Sequence, residues 1–429
     1  MTQDQQAAGP SPAQPTSGNG GRTAAFGFIF ASAMMNAISF GLMIPVLPNL
    51  VKFFVAGDTA RAAFWIMIFG VTWGAMQFLW GPVLGSLSDR FGRRPVLLIS
   101  IFGLGIDFLF MAFAPSIWWL LIGRIVNGLT AASFSTANAY VADVTAPQDR
   151  AKRFGLMGSA FSFGFLIGPV IGGGLAEVNL RLPFMVAAGL ALINGLYGLF
   201  VLPESLPPER RMKTFQWMKS NPIASLGFIR SHGSMSGLSS IYFLFMQSQS
   251  VWPNVFVLYA GYRFHWSPLI VGSMLMINGG LGIVVQILLV GPVVKRVGER
   301  GAILFGGTCG VISMIIAGLA SAGWIYICCI PFAAMANLLQ AGLMALMTQR
   351  VGPTEQGRLQ GANQSLQGIT SIIGPLLYGG TFAWAVRNDA SLHQPGLPVL
   401  IAAGLLALGV LIGLRVARPA PTPTPVPAE

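Results

Sequence analysis

Apolar blocks recur along almost the whole of this 429-residue chain, each near the roughly 20 residues that a helix needs to cross the hydrocarbon core of a bilayer. Read as helices they occupy approximately 24–47, 62–84, 95–114, 116–138, 154–177, 182–202, 236–259, 268–290, 301–320, 322–346, 362–385 and 397–414. Only 9% of the residues are charged, against about 25% in a soluble domain. An ordinary water-soluble fold is excluded, and so is an enzyme held by a single anchor. The expected class is an all-α polytopic membrane protein with 12 transmembrane helices.

The formal net charge of +12 invites a nucleic-acid reading, but its distribution follows the alternation of the spans. With both termini cytoplasmic, the inner segments hold 19 of the 25 basic residues, grouped as Arg90, Arg93 and Arg94, Arg150, Lys152 and Arg153, and Lys295, Arg296 and Arg300 among others. Lys52, Arg61, Arg181, Arg263 and Arg387 fall outside, and Arg124 lies within a span. This is the positive-inside bias. Basicity therefore sets orientation, and no nucleic-acid partner is implied.

Residues 1–22 are polar with no basic n-region, so a cleavable signal is not expected and the first span should remain in the membrane. The Pro-rich end, 416–429, reads as a second solvated tail. The longest polar stretch, 203–235, reads as a cytoplasmic linker between bundles at 23–202 and 236–415. Cys309, Cys328 and Cys329 lie inside spans without metal-ligand or redox spacing and read as small buried residues. No metal or other cofactor is expected.

An internal repeat organises the chain. The loop after span two, Gly85–Arg94, reads GSLSDRFGRR, and the loop after span eight, Gly291–Arg300, reads GPVVKRVGER. At a constant offset of 206, Gly85, Arg90, Gly92 and Arg94 match Gly291, Arg296, Gly298 and Arg300. The same offset pairs Gly155 with Gly361 and Gly168-Pro169 with Gly374-Pro375. Two parallel six-helix repeats related by a pseudo-two-fold axis place a substrate between the halves near the midplane.

In the membrane interior the only formal charges are Asp107 and Arg124. Intramembrane ionisable residues are costly and point to function; a carboxyl there is a candidate for reversible proton binding, with Arg124 as its partner. A static buried ion pair is the alternative. Asp89, Arg90, Arg93 and Arg94 can form charge-assisted bonds at a cytoplasmic helix end, with Asp143 as a further partner. This cluster reads as a latch that closes the inner side, or as a topology signal only. Polar side chains suggest a cavity for a weakly charged amphipathic compound, with interhelical hydrogen bonding as the alternative for each amide. Span four presents Arg124, Asn127, Ala131, Ser135 and Asn138 on one face, and span eleven presents Gln360, Asn363, Gln364 and Gln367. Asn36, Gln77, Gln247, Gln249, Asn254, Asn278, Asn337 and Gln340, with the aromatics Tyr242 and Trp252, complete the candidates.

Gly85-x-x-x-Asp89-Arg90-x-Gly92-Arg93-Arg94 resembles the signature loop of the major facilitator superfamily, and Arg124-x-x-x-Gly128 resembles its second motif. In span five Gly155, Gly164, Gly168-Pro169 and Gly172-Gly173 resemble the Gly-rich motif of its antiporters. The stretches GLMIPVLPNL, SDRFGRRPVLLIS, IGPVIGG and VGERGAILFG resemble the twelve-helix drug:proton antiporters, specifically the tetracycline-efflux group. The resemblance covers about residues 25–415. It implies two six-helix bundles, an Asp107 that couples protons to substrate, an Arg124 that relays the coupling, and Gly85–Arg94 with Asp143 as inner gate. The chain departs from these relatives at Asn36, Gly282 and Gly310, where they carry an acid, a His and an Asp.

The resulting expectation is a secondary transporter, not an enzyme, that exports a small amphipathic compound across the bacterial inner membrane. Protons and lipid are its partners, its oligomeric state is a monomer, and both termini are cytoplasmic. An uptake or facilitated permease for a small solute or peptide is the alternative. A Met-based copper importer, suggested by 19 Met including Met34-Met35 and Met274-x-Met276, is a weaker one.

Overall fold

Helix is the only regular structure among the residues described by the computed structural model, which are 19–131, 133–145, 149–212, 227, 233–351 and 355–416. The two tails, as 1–18 and 417–429, and the middle of the linker, as 213–226 and 228–232, lie outside the described residues. Ten helical segments are long and apolar enough to cross a membrane. One of them, Pro268–Leu319, has 52 residues. At 1.5 Å per residue a straight helix of that length would run about 78 Å, more than twice the hydrocarbon core, so it must fold back. It does so at Gly298, where φ is +70°. A further span, Gly233–Gln249 followed by Val251–Arg263, is interrupted at Ser250. Among the described residues the total is twelve crossings in two six-helix bundles.

The bounds of three elements differ from the hydropathy reading. Span two runs Thr59–Phe91, so Gly85–Phe91 is helical and the loop shrinks to Gly92 alone. Gly291–Val297 is helical in the same way. Hydropathy falls where the hydrocarbon ends, but the i to i−4 bonds continue into the interface. Span four is two helices, Ile117–Thr130 and Ser133–Val144. Among the cysteines, Cys309 and Cys329 are buried, but Cys328 is exposed, contrary to the reading of all three as core.

The repeat is visible in backbone geometry. Gly92 has φ +109° and Gly298 φ +70°, 206 residues apart, and each turns the chain from one span into the next. Left-handed backbone is costly for any residue with a Cβ. The arginines two residues on are also equivalent: Arg94 Nη2 donates to the Leu199 carbonyl at 2.6 Å and Arg300 Nη2 to the Leu414 carbonyl at 2.7 Å, near the ends of spans six and twelve. Positive charge there satisfies orphan carbonyls and opposes the helix dipole.

The two glycines differ in their surroundings. A Cβ at Gly92 would stand 2.6 Å from Glu204 Cδ, whereas one at Gly298 meets nothing within 4 Å. Gly92→Ala is therefore expected to lower the melting temperature of the purified protein clearly more than Gly298→Ala. Both carry the left-handed penalty of about 1–2 kcal/mol, and only the first adds a collision. Equal shifts would contradict this account.

Candidate functional site

Two chambers lie between the bundles. The larger, about 980 Å³, is lined from the basic-face halves of spans one to five and eleven, including Phe28, Asn36, Gln77, Asn127, Phe161 and Gln364. The smaller, about 330 Å³, lies deeper, lined by Met43, Ile66, Phe69, Arg124, Met246 and Asn254 among others. Phe40, Trp73, Gln367 and Ser371 line both, so the chambers adjoin. Trp73 is held by a 2.7 Å hydrogen bond from its Nε1 to Asn127 Oδ1.

Toward the opposite face the bundles touch directly. Gly173 of span five packs on the backbone of span eight, where an added Cβ would lie 2.7 Å from Leu269 Cα. Gly272 of span eight packs on span five, 2.7 Å from the Pro169 carbonyl carbon on the same construction. Ser267 Oγ donates to Glu177 Oε1 across this seam at 2.7 Å. Spans two and eleven form a second seam, with Gly70 against Pro375 and Gly379 against Met67. The other Gly-rich motif positions divide: Gly164, Gly168 and Gly172 seat span five on span one, while Gly155 faces open space.

Asp107 and Arg124 are the only buried charged side chains among the described residues, 0% and 6% exposed, and they form an ion pair between spans three and four. Arg124 Nη2 donates to Asp107 Oδ2 and reaches Met111 Sδ at 3.8 Å. Arg124 Nε and Asp107 Oδ1 have no partner.

The basic cluster is assembled within the first bundle. Arg93 bridges Asp89 at 2.5 Å and Asp143 at 3.2 Å, and also donates to Ser88 Oγ at 3.1 Å. Arg90 stays outside this network, exposed over the Phe91 ring, and Gly85 meets nothing a Cβ would touch. The sequence reading missed Glu204, which it counted as linker. Its carboxylate accepts the backbone N–H groups of Arg93 at 2.8 Å and Arg94 at 3.3 Å, occupying the N-terminus of span three. It also accepts from Ser205 N and Leu206 N at 3.0 Å each. An acid immediately after span six, facing a Gly-Arg-Arg helix start, was the available signal.

The expected polar lining is only partly assembled. Asn36, Gln77, Asn127, Gln364 and Gln367 line the larger chamber. Gln247, Gln249, Trp252, Asn278, Asn337, Gln340 and Asn363 line neither chamber. Gln247 and Asn363 are buried in packing, and Trp252 sits in an aromatic cluster with Phe256 and Tyr326. Asn278 and Gln340 are exposed, and Asn337 packs beside Gly282. Amides in a span show polarity without showing which neighbour they face. Trp73, Phe40 and Phe161, which the sequence reading did not single out, also line the larger chamber.

The sequence profile of the Major Facilitator Superfamily matches residues 29–375. The chain belongs to this superfamily. Its fellow members are membrane transporters, and the resemblance to the tetracycline-efflux group holds across the chain. It is 36% identical over 355 residues to the class C tetracycline resistance protein of Escherichia coli, covering 83% of this chain and 89% of that protein. It is 27% identical over 401 residues to multidrug resistance protein 2 of Bacillus subtilis, covering 89% and 94%. The solved structure of the nucleoside transporter NupG superposes with a TM-score of 0.73 at 14% identity, covering 92% of this chain and 100% of that one. At that identity the likeness shows the shared superfamily fold.

Proposed function

We propose that this superfamily member exports a small amphipathic compound, a drug or tetracycline-like molecule, across the inner membrane by proton antiport and alternating access. The observation that carries the reading is the chamber of about 980 Å³ in the basic-face half of the protein, beneath seams that close the opposite half. With the basic face cytoplasmic, this is an inward-facing arrangement, able to take substrate from the cytoplasm or its leaflet. Both termini are then cytoplasmic, and a single chain contains the whole cavity, consistent with a monomer. The named relatives support a drug as cargo.

Asp107 is assigned proton coupling and Arg124 the relay. The gate is assigned to Gly85, Asp89, Arg90, Gly92, Arg93, Arg94 and Asp143, steadied by Glu204. The ion pairs of Arg93 join spans two, three and four as one rigid corner, so the corner moves as a unit when the inner side closes. Proton movement in energised inside-out vesicles, followed on addition of a drug panel that includes tetracycline, tests the reading. A drug-dependent collapse of the proton gradient is expected. Inserted protein that responds to no compound would overturn antiport and favour the uptake reading.

A further inference from the structure

We infer that the smaller chamber is a subsite for the carboxylate of an amphipathic organic anion, with the Arg124 guanidinium as its donor. The inference deepens the transporter reading by naming a chemical feature of the cargo. Arg124 lines the chamber of about 330 Å³ and is only 6% exposed. A guanidinium carries five N–H donors in a planar fork, yet both hydrogen bonds it makes here leave from Nη2, one to Asp107 and a long one to a thioether. Nε is buried without an acceptor. The two N–H groups of Nη1 are the donors left over, and a carboxylate oxygen can accept a charge-assisted bond from that nitrogen.

The chamber walls favour an anion with an apolar body. Its lining contains no acidic side chain and no cation but Arg124, and Phe69, Trp73 and Met246 offer ring and thioether contacts. Asp107 is the one balancing charge, and it engages the opposite terminal nitrogen. Because Phe40, Trp73, Gln367 and Ser371 are shared with the larger chamber, a ligand too long for about 330 Å³ can seat its carboxylate at Arg124 and its body below. Low dielectric around the fork strengthens such a bond relative to water.

Equilibrium binding of 2-naphthoate and its neutral isostere 2-naphthamide to the purified full chain in nanodiscs tests this. The expected result is at least tenfold tighter binding of naphthoate. Asp107→Asn removes the competing negative charge while keeping the side-chain shape, and the preference should widen at least tenfold again. Arg124→Gln alone strands Asp107 and can fail to fold. The charge-neutral pair Asp107→Asn with Arg124→Gln, checked by melting temperature and gel filtration, should abolish the preference. Equal binding of the two probes by the unaltered protein, or a preference that survives in the double variant, overturns the subsite. Drug-driven proton movement with no naphthoate preference removes the subsite and leaves the export reading. Naphthoate preference without any drug-driven proton movement supports the subsite and removes the export reading.

Discussion

Asp107→Asn is expected to eliminate drug-driven proton movement in inside-out vesicles while the protein still inserts. Among the described residues no other acid is buried, so no neighbouring carboxyl can substitute for it. Asn36, Gly282 and Gly310 carry no titratable group, so the proposed coupling falls on the one buried carboxyl. The variant also leaves Arg124 without its counter-ion, and breaking one side of a buried pair costs about 3–5 kcal/mol. Loss of function could then come from loss of fold. The double variant Asp107→Asn with Arg124→Gln separates the two causes, because it has no stranded charge. Recovered insertion without proton movement supports coupling through Asp107. Proton movement in either variant would end that assignment.

Gly272→Ala should drive the protein away from the inward-facing arrangement. The added methyl has backbone of span five in its way, with the Pro169 carbonyl carbon 2.7 Å from the Cβ position, and backbone cannot step aside as a flexible side chain can. Overpacking of this kind costs about 1–3 kcal/mol, which shifts a two-state equilibrium by roughly 5–150-fold. The penalty is confined to the state in which spans five and eight touch. The readout is thiol labelling of Gln77→Cys, a chamber position, from the basic side, in a background with Cys309, Cys328 and Cys329 replaced by serine. Labelling should slow several-fold or more. Gly189→Ala, where an added Cβ meets nothing within 4 Å, should leave it unchanged. Equal labelling in both variants would mean that the seam does not govern access.

Much of this architecture is legible in the residues themselves. The constant offset of 206 pairs Gly92 with Gly298, and both have left-handed backbone. That match works because a one-residue reversal between spans admits only glycine comfortably. The intramembrane pair of Asp107 and Arg124 was legible too, since two opposite charges in hydrocarbon on consecutive spans have few alternatives to meeting. The cavity wall was not. Gln247 and Gln364 are both amides within spans, yet one is 2% exposed in packing and the other faces the chamber. Their difference is set by the rotation of each helix against its neighbours, which periodicity within one helix does not contain. Glu204 was hidden for another reason: its role is to accept from a helix start 111 residues earlier in the chain.

The pairing of Asp107 with Arg124 also bears on the electrical character of the transport cycle. With both groups ionised the pair contributes no net charge, so carrying it between orientations does no work against the membrane voltage. With the proton that the proposed coupling adds to the carboxyl, the same movement carries a net positive charge through the part of the field it crosses, at most about 2.3 kcal/mol for each 100 mV. One leg of the cycle would then accelerate or slow with the potential while the other ignored it, a rectification written into two side chains.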